Sequence, residues 1–374
     1  MKKILFLVIA GICFLTLSCQ RSQPPEAKKE VQVQKEEIKQ PPLVESKSLD
    51  QTKREVKESI PQEPKKEEKE TSLAKQPSPL TEEEQKIVDE IGENILIAPT
   101  KYFESQEDAV PYLKVLLKGD HRNIKLYKGF EALGEDKRKE DYDEAMSKAV
   151  MALNPRTKEG KQLIIEVLRT KREYQSTLSE AARAVRASQD KSIIPLLREV
   201  LKSSATRVRL EAAGSLLALG DADTALPVLD ELTREGATSA LGFIFHNMQG
   251  KEWEQRGIAL IKKALTYENN ESRALAALFL IGLTQRRVIK EDIRGIEDIL
   301  INISKDILEK KSWPITSHGY SDHRALETVI LAFWELKSKK AIPVLRSISE
   351  HPEASYLKRR AEEAIKYLSK QGGA

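Results

Sequence analysis

The stretch VRLEAAGSLLALGDADTALPVLDEL, Val208–Leu232, determines the predicted fold. It contains a helix with the adjacent small residues Ala212 and Ala213, then Gly220, then a second helix with an apolar ridge around Pro227. Gly220 can take the left-handed conformation that ends many helices. Pro227 is expected in or near the first turn of the second helix, where a proline costs little. The stretch therefore predicts two short helices that pack against each other.

The landmarks of this stretch recur along the chain. Pro195 precedes Pro227 by 32 residues, and Arg273 repeats Arg209 at 64 residues, which is two periods. Further copies of one helix or the other begin near Ala109, Ala182, Gly257, Ala341 and Tyr356. Repeats of about 20–50 residues are typical of solenoids, and no alternating strand pattern occurs in residues 81–374. The predicted fold class is therefore all-α, an α-solenoid of stacked helix pairs over 81–374. Thr81 and Glu84 fit a capping box, so the first helix is predicted to begin there.

This pattern resembles HEAT repeats, in particular the short variety named after phycobilisome-lyase-like proteins. The resemblance covers about Ala109–Leu368. Because each helix pair contacts only its neighbours, the resemblance implies an extended helical surface. A fold alone specifies no chemistry, so the resemblance predicts no reaction. A tetratricopeptide-like adaptor solenoid, whose period is about 34 residues, is an alternative fold. Because some carriers of the short HEAT variety act on tetrapyrrole attachment, an enzyme or enzyme subunit is the alternative function.

The N-terminal stretch Met1–Cys19, MKKILFLVIAGICFLTLSC, is typical of an export signal. Lys2 and Lys3 precede an apolar run that extends from Ile4 to Leu17. A membrane-spanning helix needs about 20 apolar residues, so this shorter run has the length of a signal-peptide core instead. Residues 1–18 are therefore predicted to form a signal peptide.

Cys19 follows the apolar run closely, and this arrangement resembles a bacterial lipoprotein signal. The resemblance implies that Cys19 is lipidated and becomes the first mature residue. Thr16 departs from the pattern, since the family usually has leucine there. Ordinary cleavage and an uncleaved anchor are the alternatives. Gln20, being other than aspartate, implies the outer membrane if the cell has two membranes.

Residues 19–80 are predicted to form a disordered tether. Between Gln20 and Leu80 there is no glycine and no aromatic residue, but 8 of the 16 prolines. Positive and negative residues nearly balance there, at 13 and 12. Such a segment buries too little apolar surface to offset the entropy of ordering. We expect it to act as a spacer between the lipid and the folded body.

Composition excludes several functions. The chain of 374 residues has 62 Lys and Arg against 58 Asp and Glu, a net charge of +4 that is spread evenly. Nucleic-acid binding requires concentrated basic charge, so no nucleic acid is expected as a partner. Two cysteines provide neither a disulfide framework nor a cysteine-rich zinc site. No nucleophile elbow, P-loop or zinc-protease motif occurs, so we predict no enzyme, no catalytic residue and no cofactor.

The repeat pattern lengthens between about residues 303 and 323, where an insertion is expected. Insertions in solenoids often lie on the binding face, and Trp and Tyr are preferred binding residues. The candidate partner-binding residues are Trp313, His318, Tyr320 and His323. The alternative for Trp313 is a core position beneath a longer loop. The two histidines and Asp322 are too few for a metal site, and none is predicted. Other aromatic residues are predicted to be structural, namely Phe243, Phe245, Trp253 and Trp334.

Signal, tether and repeats together predict a non-enzymatic, lipid-anchored scaffold in the bacterial cell envelope. Its predicted partners are the membrane, through Cys19, and another protein or envelope assembly.

Overall fold

The computed structural model describes residues 79–97, 103, 105–123, 134–289, 294–310, 313 and 321–371. Within these residues every regular element is helical and no strand occurs. The α-helices are α1 (Glu82–Ile97), α2 (Gln106–Lys118), α3 (Gly134–Ala152), α4 (Lys158–Thr170), α5 (Gln175–Ala184), α6 (Ile194–Val200), α7 (Thr206–Ala218), α8 (Ala222–Arg234), α9 (Ser239–Asn247), α10 (Glu254–Ala264), α11 (Asn270–Gln285), α12 (Arg294–Leu308), α13 (Ser321–Leu336), α14 (Ile342–Glu350) and α15 (Lys358–Lys370).

From α2 onward the helices form pairs, each with a first and a second helix. The first helices are α2, α4, α6, α8, α10, α12 and α14, and each packs against the second helix that follows it. The second helices, α3, α5, α7, α9, α11, α13 and α15, contact one another in series. The predicted all-α solenoid of stacked helix pairs is thereby confirmed. Helix α1 precedes the pairs and packs against α2 and α3.

The helix that opens this body begins with a reciprocal capping box. The backbone N–H of Thr81 donates to the Glu84 carboxylate at 2.8 Å, and the Glu84 N–H donates to the Thr81 hydroxyl at 3.2 Å. These two bonds satisfy N–H groups that lack partners at a helix start. The helix predicted to begin there is confirmed, with Glu82 as its first residue.

The junction between α7 and α8 has the predicted glycine cap. Gly220 has φ +94°, a value that favours glycine. The backbone N–H of Asp221 reaches back to the Leu216 carbonyl at 2.8 Å, which closes α7 in a Schellman-type turn. Ala212 and Ala213 are fully buried, so the small-residue pair lies at a helix contact as expected.

The expected position of Pro227 was wrong. Helix α8 begins at Ala222, so Pro227 is its sixth residue and lies in the second turn. Pro111 has the same place in α2, whereas Pro195 and Pro343 lie in the first turns of α6 and α14. The difference arises because short 3-10 turns precede α6 and α14. In α2 and α8 the α-helix begins earlier and includes the residues that correspond to those turns.

From α8 onward the repeat spacing increases toward the C-terminus. Successive first helices begin at Ala222, Glu254, Arg294 and Ile342, and each interval is longer than the one before it. One irregular region was predicted, at about 303–323. The starts of the first helices show two others, the interval from Glu254 to Arg294, which contains the connection of α11 to α12, and the interval from Gln106 to Lys158 near the N-terminus.

Candidate protein-interaction surface

Five aromatic side chains on four successive second helices pack against the core but stay partly exposed. They are termed the aromatic ridge: Phe243 and Phe245 on α9, Phe279 on α11, Trp334 on α13 and Tyr367 on α15. Trp253, predicted to be structural, is buried at 3% exposure, which confirms that prediction. The prediction of a structural role holds only in part for Phe243, Phe245 and Trp334, because each ring packs against the core and is also partly exposed.

Helix α9 presents a narrow strip between its two phenylalanines. At about 100° per residue, Gly242 and His246 lie on one side, with Phe243 and Phe245 on either flank. His246 is exposed, and a Cβ atom added at Gly242 would meet no atom within 4 Å. A partner backbone can therefore approach α9 closely at this point.

Phe245 joins α9 to α11 through an aromatic stack. Its ring lies 4.2 Å from that of Phe279, with an interplanar angle of 6°. The Arg286 guanidinium lies over the Phe245 ring, 5.4 Å from its centroid, in cation–π geometry. His246 contacts the Phe245 ring edge-on at 5.2 Å. Desolvation by these neighbours, and then the charge of Arg286, lower the pKa of His246, so the imidazole is neutral at pH 7.

A second arginine lies on Phe243, on the opposite flank of α9. The Arg186 guanidinium is 4.5 Å from the centroid of the Phe243 ring, and it forms an ion pair with Glu211 of α7 at 2.8 Å. Gly214 makes room for this arrangement, because a Cβ atom there would lie 3.1 Å from both Arg186 and the Phe243 ring. Burial lowers the pKa of Arg186 and raises that of Glu211, and their mutual attraction opposes both shifts.

The C-terminal end of the ridge is another stack between neighbouring second helices. Trp334 of α13 and Tyr367 of α15 have ring centroids 4.6 Å apart and an interplanar angle of 8°. Offset stacks of this kind add about 0.5–1.5 kcal/mol beyond area burial. The ridge therefore stabilises the helix stack as well as offering apolar surface.

The structure places two of the four predicted partner-binding residues together, in a group termed the Trp313 cluster. Trp313 is only 6% exposed, and its indole N–H donates to the Ile307 carbonyl at 3.0 Å. Its ring stacks on His351 at 4.9 Å and meets the His323 ring edge-on at 5.0 Å. His323 in turn lies 5.1 Å from the half-exposed ring of Tyr356.

The burial of Trp313 fits the core alternative, since a covered indole offers little surface to a partner. A role of the four residues in binding stays a prediction. His318 and Tyr320 lie outside the described residues, as do Cys19, the predicted signal peptide and nearly all of the tether. Sequence reasoning missed His351 and Tyr356, because only tertiary packing brings them to Trp313.

A shallow, half-open depression of about 480 Å³ lies beside the Trp313 cluster. Its lining includes His351, Glu350, Lys358 and Glu362. Small-molecule sites are usually more enclosed and mostly apolar, so this depression lacks their character.

A titratable group with a perturbed pKa occurs at the other end of the stack, in the Lys171 cluster. Lys171 lies 5.9 Å from the ring centroids of both Tyr142 and Tyr174, and its ammonium donates to the Gly119 carbonyl at 2.5 Å. Burial lowers the pKa of Lys171. Perturbed lysines often mark active sites, but both tyrosines are at most 1% exposed and cover this one. The cluster has the character of a structural clamp.

In the described part of the chain, no group of three or more His, Cys, Asp or Glu side chains is arranged to hold a metal ion. Asp322, which the sequence places beside two histidines, pairs with Lys310 at 2.8 Å. Nor does any described helix combine the length and apolar character needed to cross a membrane.

The helix pairs and the surface of their second helices define the chain's body as an α-solenoid. Residues 161–241 match the family model described as HEAT repeats. The matched segment extends from α4 into α9 and includes the junction of α7 and α8 with which the repeat was recognised. HEAT repeats, rather than tetratricopeptide repeats, are therefore present there. No curated protein and no solved structure matches the chain.

Proposed function

We propose that this protein is a non-enzymatic scaffold that binds another protein through the aromatic ridge. The single observation that carries the proposal is the row of partly exposed rings on successive second helices, next to arginine side chains. Aromatic residues and arginine are enriched in binding hot spots because they bury much surface at low entropic cost. HEAT repeats commonly serve as protein-interaction scaffolds, which supports the same function.

The proposal includes a lipid anchor at Cys19 and a location in the bacterial cell envelope. Its support is the sequence of residues 1–18 and the Lys-, Glu-, Pro- and Gln-rich composition of 19–80. Stable anchoring requires more than one acyl chain, as the lipoprotein signal implies. If the cell has two membranes, Gln20 favours the outer one.

Site-specific photocrosslinking in cells tests the protein-binding part. A photoreactive residue at Gly242 occupies open space on α9, and Ala259, exposed on the first helix α10, is the matched control. We expect a discrete protein adduct from Gly242 and none from Ala259. A third position, Tyr320, tests the predicted binding segment around Trp313. Absence of any adduct from Gly242 and Tyr320, or equal adducts from Ala259, would contradict the proposal.

Metabolic labelling with an alkyne fatty acid tests the anchor. We expect the label on the wild-type protein and its loss in Cys19→Ala, with the protein released from the membrane fraction. Label that persists in the Cys19→Ala variant would sink this assignment. Crosslinking and labelling are separate readouts, so the anchor and the binding surface can fail independently.

A further inference from the structure

The two arginine–phenylalanine stacks of α9 differ in one charged group. Arg186 lies on Phe243 and pairs with Glu211, whereas Arg286 lies on Phe245 and forms no ion pair with any described residue. The Glu335 carboxylate accepts a hydrogen bond at 3.2 Å from Gln285, the residue before Arg286. Arg286 therefore lies over a ring of α9 as Arg186 does, but it is more exposed, lies farther from its ring and pairs with no carboxylate of the described residues.

The surface around Arg286 is open and apolar. Arg286 is exposed, and a Cβ atom at the neighbouring Gly282 would meet only the Phe245 ring, at 3.8 Å. Gly242 and His246 of α9 continue this surface, which we term the α9–α11 strip. Leu278 beside it is partly exposed. Here a partner chain can approach the backbone and place an apolar side chain next to a charged one.

We propose that the α9–α11 strip binds an acidic segment of a partner protein, and that a carboxylate of that segment pairs with Arg286. This inference rests on the proposed function and names the chemistry of the partner. Arginine and carboxylate match in a planar, two-bond geometry, and the ring beneath Arg286 holds its side chain ready for it. An adjacent apolar side chain of the segment packs on Leu278 and Phe279.

The charges around the strip support an anionic occupant. Arg287 follows Arg286, so two arginines stand at the end of α11, and neither forms an ion pair with a carboxylate of the described residues. A helix C-terminus favours cations, which helps to keep both arginines at this place. Because the proposed pairing joins exposed charges, binding is expected to weaken as the salt concentration rises.

Fluorescence anisotropy with defined peptides tests the pairing on the full-length protein. The probes are fluorescein-labelled GSELFEGS, its neutral match GSQLFQGS and its basic match GSKLFKGS. We expect the acidic peptide to bind about tenfold more tightly than the neutral one, as for a charge-assisted hydrogen-bonded pair. Arg286→Glu should abolish this preference and favour the basic peptide instead. Arg286→Gln should lose most of the preference for the acidic peptide, with Arg287 retaining a small part of it.

The matched control is Arg256→Glu, which reverses an arginine of similar exposure on the first helix α10. It should leave the peptide preference unchanged, and thermal melts should show all variants folded. Equal binding of acidic and neutral peptides, no binding at ~1 mM, or the same loss in Arg256→Glu would overturn the inference.

A peptide that copies residues 30–38, EVQVQKEEI, separates a partner from the chain's own segment. Tighter binding of this peptide than of GSELFEGS, lost in Arg286→Glu, would assign the strip to the chain itself and overturn the partner assignment. If all peptides fail while Gly242 still gives a protein adduct in cells, the scaffold function stands and only the acidic partner is refuted.

Discussion

The two ends of the helix stack both enclose aromatic rings around a polar group, but they are built differently. In the Lys171 cluster the buried ammonium of Lys171 donates to the Gly119 carbonyl, 52 residues away in the sequence. The Trp313 cluster lies in the long interval between the starts of two first helices, from Arg294 to Ile342. There the Nδ1 atom of His351 is buried without a hydrogen-bond partner among the described residues. The Lys171 cluster thus pairs its buried polar group through a hydrogen bond between distant residues, whereas the Trp313 cluster leaves an imidazole nitrogen unbonded and relies on ring packing.

The largest expected effect is at Trp313, because its ring fills the centre of its cluster. Trp313→Ala should lower the free energy of unfolding by about 3–5 kcal/mol, the usual cost of removing a buried aromatic side chain. Urea denaturation measures the change. The control Tyr356→Ala removes a half-exposed ring of the same cluster and should cost less than ~1 kcal/mol. A stable Trp313→Ala protein with weakened partner capture would instead favour the recognition role.

Between the two ends, the contact at Ala213 tests the regular packing. Ala213 is fully buried on α7, so Ala213→Leu forces extra volume into a close helix contact. The expected loss is about 1–3 kcal/mol in the free energy of unfolding. Ala218 on the same helix is partly exposed, and Ala218→Leu serves as the control with little change. An unchanged melting temperature for Ala213→Leu would refute the helix register.

Substitutions of Lys171 test whether its ammonium group or its alkyl stem stabilises the Lys171 cluster. Lys171→Ala removes both and leaves the Gly119 carbonyl buried without its donor, which should cost about 1–3 kcal/mol. Lys171→Met keeps the stem between the tyrosine rings and should cost less. Guanidinium denaturation of the two variants separates these contributions. Equal losses would assign the stabilisation to the charged group alone.

The lowered pKa of Lys171 also predicts a pH dependence. Between its folded pKa and the unfolded value of about 10.5, the unfolded state binds more protons, so stability from this group rises with pH. The wild-type protein should therefore gain stability relative to Lys171→Met as pH rises through that window. A constant difference between the two proteins would show that Lys171 titrates normally.

The sequence separation of the residues in contact explains how much of the structure could be predicted. The Thr81–Glu84 cap and the Gly220 turn depend on residues close in sequence, and both were predicted. The length of α8 ahead of Pro227 was not, since an α-helical or a 3-10 first turn suits the same residues. The stack of Phe245, Phe279 and Arg286 depends on how neighbouring pairs align. The spacing of Phe279, Gly282 and Arg286 does indicate one face of α11, but it cannot reveal which ring lies beneath the arginine.

The smallest expected effect is at an exposed ion pair of the regular part. Asp190 accepts from Lys161 at 2.8 Å and from the Ser192 N–H at 3.0 Å, and these bonds, the lysine first, lower the pKa of Asp190 to about 2. Because the folded pKa lies below the unfolded one, the contribution is present above about pH 4 and disappears as pH falls toward 2. Asp190→Asn should therefore cost less than ~1 kcal/mol at pH 7 and nothing near pH 2. Thermal melts of the wild-type protein and of Asp190→Asn at the two pH values measure this difference in stability. A difference that persists in acid would mean that the shape of the side chain at position 190, rather than its charge, stabilises these repeats.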